Sequence, residues 1–334
     1  MTRKRNPEES YYKIEKESLI MATNDIKITN LNTNVTRILT YAQNGKIECD
    51  NGTLSWKYVK GSSSSYRQII FKNGTFRQYD ANGNQIGNVY NKPDYAFQNL
   101  LNLAKSGGTL TIHFFHGTFR IYGPYRIYGN TTLRAPQKDA VFEKYNDLYT
   151  FINTDDDAAK AYNFNNGFYA GAGNIRLENL EFNMRGYNPQ VAKLIHASNI
   201  NIINCIVRNG RYNSHVFELS CLKNVKIQGC TFRDLLVNIG NVKSAKYEVI
   251  QIESALKGGF PYCLYSKYSY AQRCDNILID SCKFINILRG IGSHASSTSA
   301  DNYQNNVKIN KCTFSGVVEY DIHFDCRTKP QITN

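Results

Sequence analysis

One short pattern recurs between residues 193 and 325 and restricts the folds open to this chain. Four segments, SNINIINC, KNVKIQGC, DNILIDSC and NNVKINKC, each place an asparagine six residues before a cysteine. A constant offset at irregular overall spacing is typical of stacked coils whose loops differ in length. The asparagines are Asn199, Asn224, Asn276 and Asn306, and the cysteines are Cys205, Cys230, Cys282 and Cys312. The pattern predicts a β-solenoid.

The repeated residues predict two ladders along the solenoid, because parallel strands lie about 4.8 Å apart. The preceding segment, GNIRLENLEF, extends the series backwards with Asn174 and Leu180. Each asparagine is expected at a turn with a left-handed backbone, where its side chain bonds its neighbours. Each cysteine is expected to point inward as a reduced thiol that packs like a small hydrophobic residue.

Charge and composition limit the partners of the chain. Its 334 residues contain 40 Lys and Arg against 27 Asp and Glu, a net charge of +13. This balance favours an anionic polymer as partner, although outward lysines such as Lys226, Lys308 and Lys311 also serve solubility and blunt sheet edges. A hydrophobic content of 42% excludes a disordered polyelectrolyte. Nucleic acid is not favoured, because no basic and aromatic recognition motif occurs.

Three regions are predicted along the chain. Residues 1–21 are dense in charge and predict a disordered or helical lead-in, with no apolar stretch typical of a secretory signal. Residues 22–92 contain several Asn-Gly turns between alternating strands, which predicts a small β-rich module of hairpins. Residues 93–334 are expected to form the solenoid. No run of residues approaches the length of a membrane span.

A helix and two glycine-rich strands mark the start of the solenoid. The segment DYAFQNLLNLAK (94–105) has apolar residues at helical spacing, and Gly107-Gly108 ends it. From residue 107 to 135 the chain resembles the opening of pectate-lyase-like right-handed β-helix proteins, with a Gly-Gly-Thr strand, a Gly-Thr-Phe strand and an Asn-Thr-Thr-Leu turn. The resemblance covers residues 94–325. It implies an all-β fold, a right-handed parallel β-helix with an N-terminal capping helix, preceded by the small β-rich module.

The resemblance also implies a glycan as partner, since that superfamily holds pectate lyases, polygalacturonases, phage tailspike depolymerases and non-catalytic binding proteins. We expect a polysaccharide-degrading enzyme acting on a cell-surface or extracellular glycan. A module before such a helix without a signal peptide is similar to phage and prophage tail proteins, made in the cytoplasm and acting outside. The alternative is a non-catalytic receptor-recognition or adhesion protein. Tailspike-like relatives imply a homotrimer as one option.

Alternation along five strands predicts where chemistry could gather. The strands are aligned on the inward residues Ile195, Phe217, Ile250, Ile291 and Ile322. One predicted outward row contains His196, Glu218, Gln251, Gly292 and His323. A second contains Ser198, Ser220, Glu253, His294 and Asp325. Histidines and carboxylates on one face of consecutive coils are typical of a catalytic surface rather than a solvated one.

Two carboxylates on neighbouring coils fit glycoside hydrolysis. Glu218 and Glu253, offset diagonally, would lie roughly 5–8 Å apart, which suits a retaining or an inverting enzyme. Glu253 is expected to be the general acid and Glu218 its partner, with Glu248 as a substitute for either. Gln251 and His215 are expected to contact substrate.

Gly292-Ser293-His294 and Arg289 resemble the Gly-His-Gly histidine and the basic residue of polygalacturonases. The resemblance implies that His294 tunes the proton affinity of the acid and that Arg289 holds a substrate carboxylate or phosphate. The Asn-Thr-Asp, Asp-Asp and Arg-Ile-Lys motifs of that family are missing from these coils. Alternatively, Glu248 and Arg289 form an inter-coil ion pair.

Two long insertions, 254–275 and 296–305, are expected to wall a groove above this row, because solenoid insertions collect on one face. Tyr262, Tyr265 and Tyr268 in the first would stack on sugar faces, or the loop packs on itself.

A lyase, the second choice for the reaction, would favour a basic residue with calcium-binding acids. No zinc spacing occurs and no cofactor is expected. Residues 155–157 (Asp-Asp-Asp) are expected to form a solvated turn, with a calcium site there as the alternative.

Overall fold

The structure of the chain is a computed structural model that describes residues 12–15, 27–30, 35–38, 48–49, 53–60, 63–72, 75–79, 85–90, 96–153, 169–236, 247–255, 273–293, 303–324 and 328–333.

Strands dominate the described chain. Eight precede the helix: β1 (Tyr12–Glu15), β2 (Lys27–Asn30), β3 (Val35–Ile38), β4 (Glu48–Cys49), β5 (Thr53–Lys60), β6 (Ser63–Lys72), β7 (Thr75–Tyr79) and β8 (Gln85–Tyr90). Helix α1 (Ala96–Leu103) continues into a single 3-10 turn, Ala104–Ser106. Ten strands follow it: β9 (Thr109–Phe115), β10 (Gly117–Ile121), β11 (Tyr125–Arg126), β12 (Thr131–Arg134), β13 (Ala140–Lys144), β14 (Phe151–Ile152), β15 (Ile175–Glu178), β16 (Glu181–Asn183), β17 (Ala192–Ile195) and β18 (Ser198–Ile203). Ten more complete the chain: β19 (Ile206–Arg208), β20 (Phe217–Ser220), β21 (Lys223–Gln228), β22 (Thr231–Arg233), β23 (Glu248–Glu253), β24 (Asp275–Asp280), β25 (Lys283–Ser293), β26 (Asn305–Asn310), β27 (Thr313–Phe324) and β28 (Gln331–Thr333).

From β9 onward the strands form three parallel ladders, and each coil up to β23 adds one strand to each ladder. The first ladder contains β9, β12, β15, β18, β21, β24, β26 and β28. The second contains β10, β13, β16, β19 and β22, and the third contains β11, β14, β17, β20 and β23. The long strands β25 and β27 continue the second and third ladders together. The predicted all-β parallel β-helix with a capping helix is confirmed.

The core between the ladders is built from stacked aromatic and aliphatic side chains. Phenylalanines occupy one lateral position of the second ladder in nearly every coil, with a single valine among them. They are Phe119, Phe142, Phe182, Val207, Phe232, Phe284 and Phe314. The rings of Phe284 and Phe314 stack with centroids 4.8 Å apart. Each fully buried side chain of this kind stabilises the fold by about 1.5–3 kcal/mol.

The predicted asparagine ladder is confirmed along six coils. Its members are Asn130, Asn174, Asn199, Asn224, Asn276 and Asn306. All six have φ between 48° and 58°, the left-handed region that asparagine tolerates. Each side chain bonds to the equivalent side chain of the neighbouring coil at 2.8–3.1 Å. The ladder therefore fixes the register of successive coils at this corner, which we call the asparagine corner.

The cysteines at the predicted inward positions are free thiols. Cys205, Cys230 and Cys282 are fully buried, and Cys312 is partly buried. The Cys230 thiol lies 3.5 Å from the carbonyl oxygen of Ile202 on the neighbouring coil. Burial raises the pKa of the Cys230 thiol well above its ordinary value. These side chains act as small core residues, as predicted.

Other elements cover the first strand of each ladder. The Gln98 side chain of α1 accepts from the Arg126 amide at 2.7 Å and donates to its carbonyl oxygen at 3.1 Å. Strand β5 pairs antiparallel with β9, and β4 pairs antiparallel with β10. Unpaired strand edges invite association with other chains. The pairing therefore protects this end of the solenoid.

The predicted regions before residue 93 contain the antiparallel strands. Strands β5, β6, β7 and β8 extend the sheet of the first ladder, so this part of residues 22–92 is hydrogen-bonded to the solenoid. In the region 1–21, predicted as a disordered or helical lead-in, Tyr12–Glu15 instead pairs with Lys27–Asn30 as a strand. Its sequence YKIE alternates polar and apolar residues, which suits a strand. No helix in the described part of the chain is long and apolar enough to cross a membrane.

Candidate functional site

The outer surface of the third ladder brings together several predicted residues, and we call this surface the polar wall. Glu218 on β20 lies beside Gln251 on β23, which lies beside Gly292 on β25 and then His323 on β27. Ser220 lies beside Glu253 in the next row. These neighbours agree with the predicted alignment. They place Glu218 and Glu253 on adjacent strands, offset by two residues in the direction of the strands.

The alignment predicted for the preceding coil is wrong by three residues. Lys193, and not His196, is the partner of Glu218, and Ile195 is the partner of Ser220. Ser198 belongs to the first ladder, where it pairs with Lys223. His196 is fully buried at the turn after β17 with φ of 54°. The alignment failed because it matched apolar residues, whereas these two coils keep a constant length of 25 residues.

Glu218 is held by two partners on the wall. Lys193 Nζ lies 2.8 Å from Oε1, and the hydroxyl of Tyr149 donates to Oε2 at 2.5 Å. The side chains of Lys193 and Glu218 are only 20% and 12% exposed. Burial, with the charge of Glu218 as a second cause, raises the pKa of Tyr149 well above its ordinary value. Tyr149 therefore remains a hydrogen-bond donor to this carboxylate at neutral pH.

Glu253 has a different environment from Glu218. Its Oε2 accepts a hydrogen bond from Nε2 of Gln251 at 3.0 Å. Gln251 is 2% exposed, whereas Glu253 is partly exposed at the end of β23. The insertion that begins at residue 254 leaves the wall directly after this carboxylate. A neutral amide therefore fixes the orientation of Glu253 next to the longest loop.

Glu248 lies at the start of β23 and is completely buried. Its carboxylate is 3.7 Å from Nδ1 of His215, 3.8 Å from Nη1 of Arg289 and 3.4 Å from the hydroxyl of Tyr320. Nδ1 of His215 also donates to the backbone carbonyl oxygen of Glu248 at 2.8 Å, which places a proton on that nitrogen. His215 is 5% exposed. The carboxylate thus connects the coil before it with the two coils that follow.

Arg289 joins this network on the next strand. It is the lateral partner of Glu248, and its Nε lies 2.5 Å from Oε2 of Glu319. Its guanidinium also lies over the ring of Tyr320, 4.7 Å from the centroid. The ion-pair alternative for Glu248 and Arg289 therefore agrees with the contacts, although Glu319 is the nearer carboxylate. The side chain of Arg289 is 12% exposed.

The glycines of the segment RGIGS bring two strands together. A Cβ atom added to Gly290 would clash with the backbone oxygen of Asp321, and one added to Gly292 would clash with that of His323. The space that these glycines leave is therefore filled by β27. The ring of His323 packs instead against Tyr320, with centroids 4.7 Å apart.

Several predicted residues lie outside the described residues. They are His294, Tyr262, Tyr265, Tyr268, Asp325 and the aspartates at 155–157. The same holds for the interiors of both insertions, 256–272 and 294–302. Their predicted roles remain predictions. Within the described ranges, no group of three or more His, Cys, Asp or Glu side chains could hold a metal ion.

Sequence reasoning missed four polar residues on this surface. Lys193 could have been found by counting 25 residues back from Glu218, the same distance that separates Asn199 from Asn224. Tyr149 lies 69 residues before Glu218, and no repeat marks it. Glu319 and Tyr320 follow a shift in the pairing of β25 with β27, which alternation alone does not predict.

Comparison with known proteins finds weak similarity. No family model and no curated protein matches the chain. The structure of PfbA, a surface adhesin of Streptococcus pneumoniae, is 16% identical with a TM-score of 0.48, covering 68% of this chain and 58% of that one. A protein of Parabacteroides merdae provisionally assigned as a glycosyl hydrolase is 11% identical, with a TM-score of 0.30 and coverage of 71% and 87%. The A-module of the mannuronan C-5 epimerase AlgE6 of Azotobacter vinelandii is 11% identical, with a TM-score of 0.21 and coverage of 71% and 92%. The chain thus spans 58% of the length of the adhesin chain, and its strand pairing establishes the parallel β-helix independently of these three structures.

Proposed function

We propose that this chain hydrolyses a polysaccharide on the polar wall, with Glu253 as general acid and Glu218 as the second carboxylate. The supporting observation is their placement on adjacent strands in different environments, one bound to Lys193 and Tyr149 and the other to the amide of Gln251. Diagonal neighbours of this kind lie roughly 5–8 Å apart, within the range that glycosidases use. Glycoside hydrolysis needs two carboxylates in different protonation states.

The role of each carboxylate follows from the side chains that contact it. Glu253, bound by a neutral amide, donates a proton to the glycosidic oxygen as its bond to the anomeric carbon breaks. Glu218, paired with an ammonium group, accepts a proton from water as the water oxygen bonds to that carbon. Glu218 then releases its proton to solvent and Glu253 takes one up, which restores the starting state. The net charge of +13 favours an anionic glycan. We propose a phage or prophage tail as the setting, with the sequence resemblance as support.

A second candidate, glycan binding without cleavage, is favoured by the close contacts of Glu218. Both of its oxygens already have short contacts, to Lys193 and to Tyr149. Each oxygen keeps a further acceptor position, but the ion pair and the hydrogen bond hold the carboxylate in a fixed structural role. A surface of this kind would recognise a glycan for attachment.

The decisive experiment incubates the full chain with purified capsular, cell-wall and pectic glycans. We expect new reducing ends with at least one of them, and loss of activity by about 10²–10⁴-fold in Glu253→Gln. Unsaturated products instead would identify a lyase and reject the hydrolytic roles. Glu181→Gln is the matched control, because Glu181 is a carboxylate on the second ladder paired with Arg208.

Measurement of glycan binding beside cleavage distinguishes the enzyme from the attachment protein. If Glu253→Gln keeps glycan affinity while cleavage is lost, catalysis at Glu253 is supported. If the unmodified chain binds a glycan but releases neither reducing ends nor unsaturated products from any of them, the attachment function replaces the enzyme. Unchanged cleavage in Glu253→Gln would refute the assignment of the acid.

A further inference from the structure

The side-chain hydrogen bonds of the asparagine ladder all point in the same direction. In each of its five bonds, Nδ2 of the later coil donates to Oδ1 of the earlier coil. Aspartates in neighbouring rows require the same direction, because a carboxylate only accepts. Asn305 donates to Asp275 at 2.7 Å, and Asn286 donates to Asp234 at 3.0 Å. Hydrogen-bonded chains polarise their members cooperatively. The ladder therefore has a donor end and an acceptor end.

The donor end of the ladder is Asn130. Its Oδ1 accepts from Asn174 at 2.8 Å, and within the described part of the chain its Nδ2 donates to no protein group. Aligned amide dipoles place partial positive charge at such an end, as backbone dipoles do at a helix N-terminus. The ladder thus presents a polarised N–H group at its first coil.

A cavity of about 400 Å³ opens at this end of the ladder. Asn130, Asn174 and Ser198 line it from three successive coils, together with Ala104 and Lys105 of the 3-10 turn that follows α1. Small-molecule sites commonly have volumes of about 300–1,000 Å³. The cavity is large enough for one sugar ring.

The charged and polar lining of the cavity favours an anion. Lys105 lines it, and its ammonium group lies 6.0 Å from the centroid of the Tyr128 ring. No aspartate or glutamate is among the described residues that line it. The helix end also presents carbonyl oxygens, but those of Leu103 and Ala104 already accept from the Ser106 hydroxyl and the Gly107 amide. The lining therefore offers cationic and donor groups.

Tyr169 supplies an aromatic group that can contact a sugar ring. It lines the cavity, and its hydroxyl donates to the carbonyl oxygen of Arg273 at 3.0 Å. The ring also packs against the cluster of Ile195, Cys221 and Ala255, with Lys223 Nζ 5.7 Å from its centroid, so its position is fixed. Aromatic side chains with a fixed polar end pack against the apolar faces of sugars. A ring with an attached anion would thus meet Tyr169 and the donor groups together.

We propose that this cavity binds a monosaccharide unit that carries one carboxylate or one sulfate group, with its anion on Lys105 and Nδ2 of Asn130. This site is distinct from the polar wall and does not depend on hydrolysis there. It would give the protein a second contact with an acidic glycan.

The test uses the full chain and ligand-observed NMR with three probes: glucuronic acid, glucose 6-sulfate and glucose. We expect both anionic sugars to bind at least tenfold more tightly than glucose, and the tighter of the two identifies the group. Asn130→Asp should weaken binding of the anionic sugars by at least tenfold. This variant retains an acceptor for Asn174 and a residue that tolerates the left-handed turn, but it removes the donor. Lys105→Gln should weaken binding in the same way.

Two controls keep the result specific. Lys308→Gln removes an exposed lysine on the first ladder, and Glu181→Gln alters a carboxylate on the second ladder that pairs with Arg208; both should bind the anionic sugars as the unmodified chain does. Thermal unfolding of every variant checks the fold. Equal affinity for glucose and the anionic sugars would overturn the proposal. Unchanged affinity in folded Asn130→Asp and Lys105→Gln would overturn it too.

Discussion

Lys193 and Glu218 face each other across neighbouring strands, with 2.8 Å between Nζ and Oε1. Because both side chains are largely buried, removing one of them leaves a charge with poor solvation. Removal of either partner alone is therefore expected to destabilise the third ladder, whatever chemistry the wall performs.

Lys193→Met should lower the free energy of unfolding by about 2 kcal/mol, since it leaves Glu218 with Tyr149 as its remaining close partner. The double variant Lys193→Met with Glu218→Gln should recover part of that loss, because no unpaired charge remains. Urea unfolding of the two single variants and the double variant measures the coupling. Strictly additive losses would show that the pair contributes nothing.

Glu248 should behave as a structural residue when compared with Glu253. Glu248→Ala removes a fully buried carboxylate from His215, Arg289 and Tyr320, and we expect a loss of about 3–5 kcal/mol. Glu253→Ala changes a partly exposed carboxylate and should cost below about 1 kcal/mol. Chemical denaturation of both variants compares them directly. Similar stabilities would contradict the buried network described for Glu248.

The asparagine ladder predicts that replacing Asn224 with glycine destabilises the chain less than replacing it with alanine. Asn224→Ala should lower the free energy of unfolding by about 3 kcal/mol, from two lost hydrogen bonds and a non-glycine residue with φ of 56°. Asn224→Gly loses the same bonds without the conformational cost, so it should be about 1 kcal/mol more stable than the alanine variant. Thermal and urea unfolding test this order. A more stable alanine variant would show that the turn relaxes.

The buried Lys144 should make the free energy of unfolding depend on pH. Its ammonium group is buried and donates to the carbonyl oxygens of Asn188 and Gln190, and burial lowers its pKa from 10.5 to about 7. Between pH 7 and 10.5 the unfolded chain therefore binds more protons than the folded chain at this site. The free energy of unfolding should rise with pH through this window, by up to about 1.4 kcal/mol per pH unit. Below pH 7 both states are protonated, and the cost of burying the charge is complete.

Lys144→Met should remove this dependence and stabilise the chain at pH 7. The two carbonyl oxygens keep other donors, namely the amides of Thr150 and Gln190. Unfolding measured at pH 7 and pH 9, with Lys308→Met as an exposed control, checks the difference. A variant with the same pH slope as the original chain would exclude Lys144 as its source.

The sequence was sufficient for the fold where a residue repeats for a physical reason. Asparagine recurs because only a few residues tolerate the left-handed turn, and cysteine recurs because the inward position is small. The capping helix was predictable from its apolar spacing. Matching apolar residues failed at β17, because Ile195 and Phe217 are both buried but occupy different positions in their coils.

The site was less predictable than the fold, because its contacts join residues distant in sequence. Tyr149 reaches Glu218 across a whole coil, and no pattern near either residue indicates the bond. The alternation of residues along a strand also did not predict which outward side chains are buried. Glu248 and His215, expected at an accessible surface, are buried, and the Glu248 carboxylate lies among His215, Arg289 and Tyr320.

The uninterrupted strand β25 has a mechanical consequence. In the preceding coil a connection, 234–247, separates the phenylalanine ladder on β22 from the polar residues on β23. In β25 the same backbone segment carries Phe284 and, five residues later, Arg289. No loop lies between them, but Asn286 has φ of 51° and the pairing with β27 shifts between Ile287 and Arg289. The strand therefore bends between the packed ring of Phe284 and the guanidinium that contacts Glu248, so a change in core packing should alter the angle at which Arg289 meets the outer surface.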